Sequence, residues 1–182
     1  KVISSSLIQS YPENLINLKN VIAKKEKINE KFISVTPGAD GALKYIFEVF
    51  ENKQEKKVSS IFPTYAMLEV YTKIFGFKFK KVLRSINENI PVKKLVDNSN
   101  LIYLANPNMP DGQIIEEKVI INVLKEVKRK KMHLIIDETY IDFSKHKSLK
   151  DLIKKNSNLI IIKSFSKSLG LAGLRLGYIL AN

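Results

Sequence analysis

The chain has 182 residues, of which 45% are hydrophobic, enough for one sizeable core and, on average, one domain. It contains no cysteine, which excludes disulfides and thiolate chemistry, and no run of about 18 apolar residues that would predict a membrane span. The net charge of +13 comes mainly from lysines that are spread along the chain without a nucleic-acid-binding motif, so we interpret these lysines as solvated surface. We expect a cytoplasmic protein that binds neither nucleic acid nor membrane.

Strands and helices alternate along the sequence. Strands are predicted at residues 32–35, 58–62, 77–82, 101–105, 133–136, 159–162 and 177–180, several of which are continuous apolar runs. Helical periodicity predicts helices at residues 13–28, 43–50, 65–75, 120–131 and 149–155. This alternation predicts an α/β fold of three layers, with a mostly parallel central sheet between two layers of helices. No repeat or linker divides the chain, so we expect a single domain.

Polar or glycine-bearing turns follow five of the predicted strands. They lie at residues 38–41, 63–65, 106–112, 137–140 and 164–175. Because the carboxyl ends of parallel strands lie along one edge of a sheet, we expect these turns to share one crevice.

The last of these turns carries the most suggestive chemistry. Lys167 and Arg175 lie with the hydroxyls of Ser164 and Ser166 in a span of twelve residues, which suits an anion held beside a reactive amine. A lysine with a lowered pKa can form a Schiff base with a carbonyl. The turn at 38–41 joins a strand to a helix N-terminus, a general way of presenting backbone N–H groups to an anion. Each motif alone is equally typical of an ordinary structural turn, and no residue pattern indicates a metal site.

Together, five motifs in this order resemble the large domain of fold type I pyridoxal-phosphate enzymes. The nearest family is that of the histidinol-phosphate aminotransferases, whose sequence style the threonine-phosphate decarboxylases share. The motifs are Gly38-Ala39-Asp40, Pro63-Thr64-Tyr65, Asn106-Pro107-Asn108-Met109-Pro110-Asp111-Gly112, Asp137-Glu138-Thr139-Tyr140, and Ser166-Lys167 with Gly173-Leu174-Arg175-Leu176-Gly177.

The resemblance implies roles for the residues around the ring of pyridoxal 5'-phosphate. Lys167 would bind the cofactor as a Schiff base and later carry the proton. Asp137 would face the pyridine nitrogen and keep it protonated, which makes the ring an electron sink. Tyr140 would donate a hydrogen bond to the phenolic oxygen, and Tyr65 would stack on the ring.

The resemblance also implies a phosphate site and a homodimer. The phosphate would be bound by Ser164, Ser166 and Arg175, together with the backbone N–H groups of Ala39 and Asp40 at a helix N-terminus. Gly38, in the same turn, would belong to the cofactor-binding residues. In the family, the tyrosine of a Tyr-Pro pair reaches this phosphate from the neighbouring subunit, and Tyr11 matches that residue.

The sequence departs from the family in two respects. Met109 stands where the family has an asparagine that hydrogen-bonds the phenolic oxygen, and a thioether cannot donate such a bond. Asp111 replaces the usual threonine, and Gly41 stands where an acid is common. Family members also carry a C-terminal small domain, whereas this sequence stops at Asn182, so we expect residues 1–182 to be the cofactor-binding large domain of a longer protein.

These features favour an aminotransferase that acts on a phosphorylated amino compound. Three alternatives stay open: a decarboxylase of a phospho-amino acid on the same scaffold, a non-catalytic remnant of the fold, and a basic nucleic-acid-binding protein suggested by charge alone. Nothing in these residues separates the first alternative from transamination.

Overall fold

The computed structural model describes residues 15–52, 55–84 and 89–182. Within these residues seven strands form one sheet, in the order β1-β7-β6-β5-β4-β2-β3. The strands are β1 (Ile33–Thr36), β2 (Lys57–Phe62), β3 (Lys78–Leu83), β4 (Leu101–Ala105), β5 (His133–Asp137), β6 (Leu159–Ser164) and β7 (Gly177–Ala181). The pairs from β3 through β6 are parallel, and β7 runs antiparallel to both β6 and β1. The prediction of a mostly parallel sheet is therefore confirmed.

The central strands are apolar on both faces because both faces are covered. β4 is buried along its whole length. Alternate side chains of a strand point to opposite faces, so Ile102 and Leu104 enter one core, whereas Leu101 and Tyr103 enter the other.

Helices cover both cores and complete the three layers. One face carries α1 (Ile16–Glu26), α4 (Val92–Val96) and α5 (Glu117–Arg129), and the other carries α2 (Gly38–Phe50) and α3 (Ala66–Ile74). Short 3₁₀ helices lie at Glu30–Phe32, Ile141–Phe143, Lys150–Lys155 and Ala172–Leu174. The three-layer α/β prediction is confirmed. In these described residues no helix has both the length and the apolar character that a membrane crossing requires.

Two elements differ from the sequence prediction. The short helix α4 was not predicted, since its five residues show no resolvable period. The helix is connected to the sheet by a hydrogen bond of 2.5 Å that Ser59 Oγ donates to the carbonyl oxygen of Leu95. The helix predicted at residues 149–155 is a 3₁₀ helix over Lys150–Lys155.

A close backbone contact joins α2 to the edge of the sheet. A Cβ atom added to Gly177 would lie 2.6 Å from the carbonyl carbon of Gly38, so only glycine fits where β7 begins. Gly38 itself has φ +74, a conformation that favours glycine. Both glycines thus hold the N-terminus of α2 against the carboxyl end of the sheet.

Behind this edge, on the α1 face, lies a buried ionic group that we call the rear network, formed by Glu26, Glu138, Lys150, Lys163 and Tyr178. The carboxylate of Glu26 accepts hydrogen bonds from Tyr178 at 2.5 Å, from Lys150 at 3.0 Å and from Lys163 at 3.2 Å. Lys163 also lies 3.9 Å from Glu138. Three of the acidic and basic side chains, those of Glu26, Glu138 and Lys163, are buried.

Candidate active site

Residues from all five predicted turns line one crevice at the carboxyl ends of β4, β5 and β6. It has a volume of about 180 Å³. Its walls are formed by Ala39, Asp40, Tyr65, Tyr103, Ala105, Met109, Asp137, Thr139, Tyr140, Ser164, Ser166, Lys167, Ala172 and Arg175. The structure thus brings together every predicted site residue except two: Gly38 lies just outside the lining, and Tyr11 lies outside the described residues.

Asp137 is buried at the end of β5 and presents its carboxylate to the crevice. One oxygen accepts a hydrogen bond from the hydroxyl of Tyr103 at 2.8 Å and the other from the backbone N–H of Thr139 at 2.9 Å. Burial raises the pKa of Asp137 above its ordinary value, although these hydrogen bonds oppose the rise. In the part of the chain that the structure describes, Asp137 has no ion pair. A buried carboxylate of this kind is suited to a cationic ligand group.

Three elements meet at another part of the crevice wall and form an anion-binding corner, defined by Ala39, Ser164, Ser166 and Arg175. The first turn of α2 presents free backbone N–H groups there. The hydroxyl of Ser166 is buried and has no hydrogen-bond partner among the described residues. Its backbone N–H donates to Ser164 Oγ at 3.1 Å, which fixes the turn.

Arg175 reaches this corner from a strained backbone conformation. Its φ of +50 lies in the left-handed region, which is unfavourable for a residue with a side chain. Its guanidinium lies so close to Gly38 that an added Cβ would come within 3.1 Å of Nη2. Because Gly38 has no Cβ, the guanidinium can occupy this space.

The side chain of Asp40 connects two walls of the crevice. Tyr65 donates a hydrogen bond from its hydroxyl to Asp40 Oδ1 at 2.6 Å, and Arg175 Nη2 lies 3.4 Å from Asp40 Oδ2. Burial, and then the hydrogen bond to Asp40, raises the pKa of Tyr65. The sequence suggested only a backbone role for Asp40, so this contact is a new observation.

Lys167 lies on the exposed side of the crevice, next to Tyr140. Its Nζ is 5.6 Å from the centre of the Tyr140 ring. The following residue, Ser168, donates a hydrogen bond to Asp142 at 2.7 Å and anchors the turn. Lys167 forms no ion pair with any described residue, so its amine faces the crevice without a competing carboxylate.

Sequence reasoning missed Tyr103 and Thr139 as site residues. Tyr103 is fully buried in the all-apolar strand β4, and a buried tyrosine hydroxyl needs a partner. The need for such a partner could have indicated a polar residue near Tyr103. Thr139 has a buried hydroxyl beside the carboxylate of Asp137, and the sequence gives no sign of this.

No group of three or more potential metal ligands occurs within the described ranges. His133 packs edge-on against Phe50, with ring centres 4.7 Å apart, as a structural residue would.

Comparison with known proteins identifies the family. The family model described as aminotransferase class I and II matches residues 4–182. The chain belongs to this family. A histidinol-phosphate aminotransferase of Buchnera aphidicola subsp. Melaphis rhois is 35% identical over 185 residues, which cover 99% of this chain and 51% of that protein.

Solved structures of aminotransferases and of a decarboxylase share this architecture. The histidinol-phosphate aminotransferase of Clostridium acetobutylicum has a TM-score of 0.86 and 28% identity, covering 97% of this chain and 53% of its own. The L-threonine-O-3-phosphate decarboxylase of Porphyromonas gingivalis has a TM-score of 0.82 and 26% identity, with the same coverage. This class I and II aminotransferase chain spans about half the length of the curated relatives that it matches.

Proposed function

We propose that the protein is a pyridoxal-phosphate-dependent aminotransferase that acts on a phosphorylated amino compound of the histidinol-phosphate type. Residues 1–182 would form its cofactor-binding large domain. The observation that carries the proposal is the placement of Asp137, Lys167 and the anion-binding corner around one crevice of about 180 Å³.

The side chains of the crevice fit this cofactor. The buried carboxylate of Asp137 has no ion pair among the described residues, which suits a protonated ring nitrogen. The unpartnered buried hydroxyl of Ser166 and the first turn of α2 suit a phosphate. The amine of Lys167, which faces the crevice, suits the cofactor's carbonyl carbon.

When bound, pyridoxal phosphate supplies an electron sink that stabilises negative charge on the substrate carbon. Asp137 would accept a hydrogen bond from the ring nitrogen and keep the proton on that atom. Tyr103 and Thr139 hold the two carboxylate oxygens at 2.8 and 2.9 Å, so this carboxylate is oriented in advance. Lys167 Nζ would move the proton to and from the substrate carbon.

The remaining side chains bind and orient. Arg175 and Ser166 would hold the phosphate, and Tyr65 would provide an aromatic wall beside the ring. Met109 lines the crevice but carries no hydrogen-bond donor, so the hydroxyl of Tyr140 would be the donor to the phenolic oxygen.

The same proposal includes a homodimer and a cytoplasmic location. Three leucines beside the lysine turn, Leu169, Leu171 and Leu174, are 49%, 39% and 61% exposed. Such an apolar patch next to a site is typical of a surface covered by another subunit. Tyr11 of the second copy would then complete the phosphate site, and light scattering would test the stoichiometry.

A second function, decarboxylation of a phospho-amino acid, has a specific observation in its favour. The threonine-phosphate decarboxylase of Porphyromonas gingivalis covers 97% of this chain with a TM-score of 0.82. Relatives at 31–36% identity, in contrast, carry the aminotransferase name, which is why we place transamination first.

The test uses the complete protein that contains this chain. With added pyridoxal phosphate it should develop the visible absorbance of the covalently bound cofactor, and Lys167→Ala should lose this band. Lys145→Ala, which removes an exposed lysine away from the crevice, is the matched control and should keep it. A wild-type protein without the band would refute the cofactor assignment.

Substrate assays then separate the two reactions. Amino transfer from histidinol phosphate to a 2-oxo acid supports the proposal. Release of carbon dioxide from threonine phosphate without formation of a 2-oxo acid would replace it by the second function.

A further inference from the structure

The carboxylate of Asp40 contacts the hydroxyl that ends the Tyr65 side chain. The O–O distance of 2.6 Å is short, as expected for a hydrogen bond to a charged acceptor. Among the described residues the hydroxyl of Tyr65 has no other hydrogen-bond partner, and its ring is half-buried at the wall of the crevice. The tip of the ring is therefore fixed through Asp40.

Asp40 is itself held from two sides. It lies in the first turn of α2, where the helix dipole favours a negative charge. Its second oxygen lies 3.4 Å from Arg175 Nη2. Its two oxygens therefore contact two different side chains, Tyr65 and Arg175, so the carboxylate can orient the tyrosine that it binds.

We propose that Asp40 is a positioning residue: its side chain holds the ring of Tyr65 against the crevice, so that the aromatic wall is in place before a planar ring binds. The inference rests on the proposed function only for the identity of that planar ring. It assigns a role to the Asp40 side chain beyond the phosphate-binding role of its backbone N–H.

Binding of pyridoxal, which lacks the phosphate, isolates this role from phosphate electrostatics. The measurements use the complete protein carrying Lys167→Ala, so that binding is reversible and independent of activity. In this background Asp40→Ala should weaken pyridoxal binding about tenfold, the fold-change expected for the loss of one charge-assisted hydrogen bond. Asp40→Asn keeps an oxygen that can accept from Tyr65 and should restore most of the affinity.

A double-mutant cycle with Tyr65→Phe provides the decisive comparison. Tyr65→Phe keeps the ring but removes the hydroxyl, so Asp40→Ala added to it should cost little more. Tyr71→Phe is the matched control, since Tyr71 is a neighbouring half-buried tyrosine with no hydrogen bond to Asp40 among the described residues. It should leave the effect of Asp40→Ala unchanged.

Additive effects of Asp40→Ala and Tyr65→Phe would overturn the proposal. An Asp40→Asn variant as weak as Asp40→Ala would also overturn it, because charge rather than hydrogen-bond acceptance would then matter. A loss of fold is recognised separately by thermal unfolding without ligand. If wild-type protein binds pyridoxal phosphate but the cycle is additive, the positioning role fails while the proposed function stands.

Discussion

Replacing Glu26 with glutamine should remove much of the stability that the rear network provides. Glu26 is 4% exposed and accepts hydrogen bonds from Tyr178 and from the ammonium groups of Lys150 and Lys163. Glutamine has nearly the same shape, so the change removes the charge without leaving a cavity. Of the described acidic side chains, only that of Glu138 then remains near the buried ammonium of Lys163, at 3.9 Å and beyond hydrogen-bond distance.

Leaving one partner of a buried pair uncompensated costs about 3–5 kcal/mol. In a domain of this size, each kcal/mol lowers the unfolding midpoint by about 2–4 °C, which gives a fall of roughly 6–20 °C. Differential scanning calorimetry and urea denaturation of the complete, cofactor-free protein would measure it. Glu69→Gln is the control, since Glu69 pairs with Lys73 and Lys81 on the surface and its loss should change little.

The pH dependence provides an independent check. Burial alone would raise the pKa of Glu26, but the hydrogen bond from Tyr178 and the charges of Lys163 and Lys150 together lower it below its ordinary value. A carboxyl whose pKa is lowered by folding stabilises the fold above the unfolded-state pKa of about 4.3 and loses this contribution as the pH falls through the folded value. The difference between wild type and Glu26→Gln should therefore be full at neutral pH and shrink in acid. A Glu26→Gln protein no less stable than the Glu69→Gln control would refute the reasoning.

Three other substitutions should have measurable effects. Gly177→Ala places a Cβ 2.6 Å from backbone and should cost about 1–3 kcal/mol in urea denaturation, whereas Gly173→Ala, with no described atom within 4 Å, should be tolerated. Asp137→Asn should weaken cofactor binding and raise the thermal unfolding midpoint of the cofactor-free protein at pH 7. Because burial raises the pKa of Asp137, its ionised form destabilises the fold above about pH 3.9, the unfolded-state value. The increase in the unfolding midpoint should therefore vanish below that pH. Met109→Asn adds a donor to the crevice and should lower the pH midpoint of the bound cofactor's visible band by about 1–2 units, since such a bond is worth about 1.5–3 kcal/mol; an unchanged midpoint would contradict this.

The sheet and the location of the crevice could be predicted because they depend on local patterns. The central strands β4, β5 and β6 are mostly apolar, and the polar turns after β5 and β6 must lie at the same edge when neighbouring strands are parallel. The place of Asp137 and Lys167 follows from the same rule. Their roles in binding the cofactor stay predictions.

The contacts between distant residues could not be predicted. Glu26 appears in the sequence as one acid among lysines on an amphipathic helix, and its burial depends on Lys163 and Tyr178, which are more than a hundred residues away. The bond between Asp40 and Tyr65 joins two turns whose side-chain directions no periodicity specifies. The five-residue helix α4 is too short to show a period of its own.

The alternation of side chains at the carboxyl ends of β5 and β6 places two chemically different groups on opposite faces of the sheet. Asp137 and Ser164 face the crevice, whereas the adjacent Glu138 and Lys163 belong to the rear network. Inserting or deleting one residue in either strand would exchange the two sets, burying the crevice residues in the rear and turning the ion pair toward the ligand. The number of residues in these strands is therefore constrained by both groups. Insertions and deletions should be tolerated in the loops before the strands rather than within the strands.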